Sequence, residues 1–87
     1  MPGPPIPEVK LRQLVRERIS ANAVPVMLVS EVHAAHGRDE RCSVCGETIA
    51  RSQIECEVPA FRAGAFHMVC YAVWQLECAE RFRSGPS

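Results

Sequence analysis

Cys42-Ser43-Val44-Cys45-Gly46 is followed, after 21 intervening residues, by His67-Met68-Val69-Cys70. Two pairs of soft or borderline donors, each pair three positions apart, match the spacing of tetrahedral zinc sites. In the first pair a tight turn brings both sulfurs to one point. Gly46 can take the positive φ that turns backbone N–H groups toward the thiolates. In the second pair the spacing places His67 and Cys70 on one face at the start of a helix, where the positive end of the dipole favours a thiolate. The expected site is one Zn2+ per chain on Cys42, Cys45, His67 and Cys70. Four protein ligands leave no open position, which is the mark of a structural site. Two alternatives remain at this level: an all-cysteine set with Cys56 or Cys78 in place of His67, or a reduced CxxC with no metal.

Between the two pairs, Ile54, Cys56 and Val58 alternate with Glu55 and Glu57, which predicts a half-buried strand. Pro59 to Gly64 can turn the chain, and Ala65-Phe66 predicts a short return strand. From His67 to about Arg83 the pattern is helical, with Tyr71, Trp74, Cys78 and Phe82 as an apolar stripe widened by Val69, Val73 and Leu76. Cys56 and Cys78 read as buried small hydrophobes.

On the N-terminal side, Leu11, Leu14, Val15 and Ile19 form one stripe of a helix over residues 8–21. Pro7 suits its first position, and Asn22 and Pro25 stop it. Lys10, Arg12, Arg16 and Arg18 give its polar side a mildly basic face, a candidate interaction surface. Residues 22–41 connect. Within them Val24 to Val32 is either a short edge strand or a buried irregular segment, and Ala34 to Arg41 reads as a loop. His33 and His36 read as surface histidines. The fold expected is a small α+β zinc-binding domain: N-terminal helix, treble-clef-like zinc knuckle and β-hairpin, C-terminal helix. It occupies residues 8–83, of which 42–83 form the zinc-finger unit. Residues 1–7 and 84–87 are expected to be disordered tails.

Composition narrows the function. Ten Lys+Arg balance ten Asp+Glu among 87 residues. That argues against a strongly electrostatic nucleic-acid or membrane binder. A chain this short buries only about 60% of its unfolded surface, so a core alone is marginal and a metal is a natural staple. Five cysteines, an odd count, disfavour a complete disulfide framework. Met1-Pro2-Gly3-Pro4-Pro5 lacks the basic and apolar regions of a signal peptide, and both uncharged stretches are too short to span a bilayer. A cytoplasmic protein is expected. Around the ligands, Glu47, Glu55, Glu57, Glu77 and Glu80 outnumber Arg51 and Arg62, the reverse of a DNA-gripping finger.

At Cys42-x2-Cys45-Gly46, Ile49, Ile54-Glu55-Cys56-Glu57-Val58 and Phe66-His67-x2-Cys70-Tyr71-x2-Trp74, the chain resembles a set of small bacterial proteins of unknown function. They carry a short basic N-terminal helix, a break like Val24-Pro25, and a single Cys/Cys/His/Cys site. The resemblance covers about residues 8 to 82. From Cys42 to Trp74 the chain also resembles the PARP-type zinc finger and, more loosely, half of a LIM domain. These resemblances imply a zinc-stabilised fold, and the first family has no established activity to carry over. The function expected is a non-catalytic zinc-finger module for protein–protein interaction with an unknown partner or a second copy of itself. The alternative is a nucleic-acid-binding regulator using the basic helix. A thiol-redox role is disfavoured because Gly46 follows Cys45 where a redox motif would begin a helix.

Overall fold

The computed structural model describes residues 6–61 and 64–84. Helix α1 spans Glu8–Ser20, strand β1 His33–His36, strand β2 Ile54–Glu57, strand β3 Ala65–His67 and helix α2 Met68–Ser84. The three strands form one antiparallel sheet in the order β1-β2-β3. No helix among the described residues is long and apolar enough to cross a membrane.

Both helices form where the 3.6-residue stripe lies. Pro7 stands just before α1, as its N-cap. Asn22 ends the helix by turning left-handed at φ 59°, with its N–H on the Ile19 carbonyl. Leu11 and Val15 are buried, with Leu14 and Ile19 packed beside them. On α2 the stripe narrows. Val73, Trp74 and Cys78 are buried, but Val69, Leu76 and Phe82 are exposed.

The core lies between the two helices, the β2–β3 hairpin and the Cys42–Gly46 turn. Trp74 is fully enclosed and stacks on Phe66 at 4.7 Å between ring centroids and 11° between planes. Val44 and Ile49 are also fully buried, so the turn itself is part of the core.

Residues 22–32 form no strand. Val24 is buried, Met27 and Val29 pack against the core, and Val26, Leu28 and Val32 face solvent. The segment runs along α2 because Gln75 treats it as a ladder partner. Gln75 Oε1 accepts the Val29 N–H at 2.7 Å, and Gln75 Nε2 donates to the Met27 carbonyl at 2.9 Å. Trp74 Nε1 donates to the Pro25 carbonyl at 2.9 Å.

The loop expected from Ala34 is instead β1, His33-Ala34-Ala35-His36, with all four residues exposed. Two alanines between histidines carry no strand signal. The ladder forms because Gly37 and Arg38 fix its end. Gly37 N–H donates to the Gln53 carbonyl at 2.9 Å, and Arg38 Nη2 reaches Glu55 at 3.1 Å and Glu57 at 2.7 Å. Gly37 is required by contact. A Cβ there would sit 2.6 Å from the Ile49 carbonyl oxygen and collide with that of Ala50, both backbone atoms. Gly37→Ala is expected to cost about 1–3 kcal/mol, like other overpacking changes, read as a lower urea midpoint at unchanged slope.

Of the tails, residues 1–5 and 85–87 lie outside the described residues.

Candidate metal centre

Cys42 and Cys45 sit in a narrow loop closed by an antiparallel bridge between Arg41 and Thr48. The turn is pinned by Cys42 N–H on the Glu47 carbonyl at 2.9 Å and Gly46 N–H on the Cys42 carbonyl at 3.0 Å. Gly46 has φ +77°, as its position after the second cysteine predicts. His67 is the last residue of β3, and Cys70 lies in the first turn of α2. The second pair therefore straddles a strand–helix junction, where the sequence alone suggested a shared helix face. The junction is held against the turn by Ser43 N–H on the Ala65 carbonyl at 2.9 Å.

These elements bring the four side chains together. The ligand atoms of Cys42, Cys45, His67 and Cys70 all lie within 4.8 Å of one another, and they could hold one metal ion. Cys45 Sγ and His67 Nδ1 are 3.4 Å apart. A tetrahedral zinc with the usual bond lengths sets its sulfurs about 3.8 Å apart and sulfur and nitrogen about 3.6 Å apart, so the cage is the right size.

The surrounding groups favour thiolate at Cys42 alone of the three sulfurs. Cys42 is held down to about 4, first by the hydrogen bond from the Cys70 thiol and then, against burial, by backbone N–H groups of Cys45, His67 and Val44. Cys70 is pushed up by that same hydrogen bond and by burial. Burial pushes Cys45 up, opposed by the Glu47 N–H. Metal binding requires the cysteines as thiolates and so releases the protons that Cys45 and Cys70 hold. Two arginines brace the loop from behind: Arg18 Nε donates to the Val44 carbonyl and Arg41 Nη1 to the Gly46 carbonyl, both at 2.9 Å. Neither contact has a local sequence signal, since each depends on how the loop folds back.

The remaining candidates are placed elsewhere. Cys56 and Cys78 are buried, and burial pushes both thiols up. Cys78 Sγ points to the Pro25 carbonyl at 3.8 Å. Cys78→Ser is therefore expected to keep one metal per chain, checked by metal analysis; loss of metal from the folded variant would mean a different ligand set. His33 and His36 are exposed on β1, and His33 Nε2 lies 2.8 Å from Glu31.

Much of the basic face of the first helix is engaged with the rest of the chain. Arg12 Nη1 donates to Glu80 at 2.9 Å, and Arg16 Nε donates to the buried Glu77 at 2.9 Å. With Arg18 on the Val44 carbonyl, three of the four basic residues are committed within the chain, and Lys10 is left exposed. The acidic excess around the ligands is compensated in the same way. Glu77 and Glu80 face α1, and Glu55 and Glu57 face Arg38. Arg62 lies outside the described residues.

A comparison with family models, curated proteins and solved structures finds no match to this chain.

Proposed function

We propose that this protein is a non-catalytic zinc-finger module of treble-clef type, whose Cys42, Cys45, His67 and Cys70 hold one structural Zn2+ and whose surface serves protein–protein interaction in the bacterial cytosol. The observation that carries the reading is the cage of three sulfurs and one imidazole nitrogen within 4.8 Å. Three thiolates and one imidazole are the donor set of structural zinc, and a filled coordination shell leaves no place for substrate or reactive water. The order of elements supports the treble-clef assignment: the Cys42–Gly46 turn, the β2–β3 hairpin, then a ligand in the first turn of α2. The resemblance to small bacterial proteins with one such site points the same way.

Protein contact is favoured over nucleic acid by the pairing of Arg12 and Arg16 with Glu80 and Glu77, which offsets the positive charge that phosphate recognition needs. The exposed Met68, Val69 and Leu28 supply apolar surface instead. X-ray absorption at the zinc edge tests the site directly. The expected shell is three sulfurs near about 2.3 Å and one nitrogen near about 2.0 Å. A shell of four sulfurs, or one containing water oxygen, overturns it.

A further inference from the structure

The outer edge of β1 follows from the ladder geometry. The Gly37 N–H donates to the Gln53 carbonyl, and residues 37 and 53 continue the β1–β2 register of His33 with Glu57 and Ala35 with Glu55. In an antiparallel ladder the backbone groups of successive residues point alternately to one side and the other. His33 and Ala35 therefore face β2, and Ala34 and His36 direct their N–H and C=O groups outward. The same alternation sends those of Val32 outward. The opposite edge of the sheet is covered, because the Ala65 carbonyl accepts from Ser43 and the His67 N–H faces the Cys42 sulfur. β1 has no partner strand on its outer side among the described residues. All four of its residues are exposed, and Val32 before it is 39% exposed. It is short, at four residues, but carries neither proline nor lysine nor bulge.

We propose that this edge pairs with β1 of a second copy, giving a continuous six-stranded sheet across a two-fold axis. The inference deepens the reading of the protein as an interaction module by naming its partner as the same chain. A two-fold axis through an antiparallel pair sets one residue opposite itself. With the axis at Ala34, each Val32 faces the other copy's His36, and the outward groups of Val32, Ala34 and His36 are all used, about six hydrogen bonds. Small side chains meet at the axis, Ala35 leaves room for the His33 ring opposite it, and no like charges face each other. With the axis at Ala35, Val32 would have to pair with Arg38 of the other copy, which lies beyond the end of the strand. That register also needs the Arg38 N–H, which already donates to Glu55 at 3.3 Å. The free backbone groups therefore favour Ala34 over Ala35. The face that carries Ala34 and His36 is the one carrying Cys56 and Phe66, so pairing extends the core side of the sheet.

The test is sedimentation velocity on the full-length, zinc-loaded protein from low micromolar to near-millimolar concentration, with zinc content measured on the same samples. A concentration-dependent dimer is expected. Ala34→Lys places two ammonium groups at the axis and should weaken dimerisation at least tenfold. Ala34→Pro removes an N–H that the β1–β2 ladder does not use, so it should abolish the dimer while zinc and far-UV circular dichroism stay as in the parent. Amide exchange at Ala34 and His36 should slow as the concentration rises. A zinc-loaded protein that stays monomeric throughout overturns the proposal and leaves the zinc reading intact. So does a dimer that survives both substitutions, or an edge that pairs only with an added foreign peptide. Absence of zinc from folded protein counts against the zinc reading, whatever the oligomeric state.

Discussion

Cys45→Ala is expected to lose the metal and, with it, the ordered packing of the turn, the β2–β3 hairpin and the first turns of α2. The sulfur it removes is one of four donors in a cage whose members span at most 4.8 Å. Structural zinc sites in small peptides contribute about 10–16 kcal/mol at neutral pH, comparable to or larger than the whole stability of about 4–13 kcal/mol expected for a chain of this size. A three-ligand remnant admits water and holds zinc far more weakly. The consequence spreads because Val44, between the two cysteines, is fully buried and the Cys42–Gly46 turn is part of the core. Zinc competition with a chromophoric chelator, together with far-UV circular dichroism, reads the effect. At least a thousandfold loss of affinity with reduced helicity is expected; a variant with full helicity and stoichiometric zinc removes Cys45 from the ligand set.

The second large effect is expected at Trp74. Its ring is fully enclosed and stacked on Phe66, with Tyr71 edge-on at 6.1 Å. Its Nε1 also ties the Pro25 segment to α2. Trp74→Ala opens a cavity that costs about 3–5 kcal/mol in comparable cores, a large share of the stability of so small a domain. Trp74→Phe keeps much of the stack but loses the hydrogen bond, leaving the Pro25 carbonyl only the long contact from the Cys78 sulfur. Its cost should be about 1–2 kcal/mol. Urea titrations of the zinc-loaded variants separate the two. Equal loss in both would place the energy in the hydrogen bond; no loss in either would mean that Trp74 is not central to the core.

Much of this architecture was legible because it rests on local patterns. The ligand spacing, the left-handed Gly46, the alternation at Ile54 to Glu57 and the stripes of both helices are short-range signals. What was not legible is long-range. β1 exists because Gly37 and Arg38 tie it to β2, while His33-Ala34-Ala35-His36 has no intrinsic strand preference. The path of residues 22–32 is set by Gln75, a polar residue in a helix whose partners lie more than forty positions away. The basic face of α1 looked available because pairing with Glu77 and Glu80 depends on how α2 docks. Glu55 looked like an outward strand residue and is buried under Arg38, which a two-residue period cannot anticipate. His67 belongs to the strand end and not to the helix, yet it still reaches the other ligands. Spacing fixed its chemistry without fixing its secondary structure.

The most direct test of the central claim is native mass spectrometry of the protein before and after chelation, with circular dichroism on the same samples. One zinc per chain, retained without added metal, and loss of ordered structure on stripping are the predicted result. A folded, metal-free protein whose spectrum does not change on chelation would contradict it.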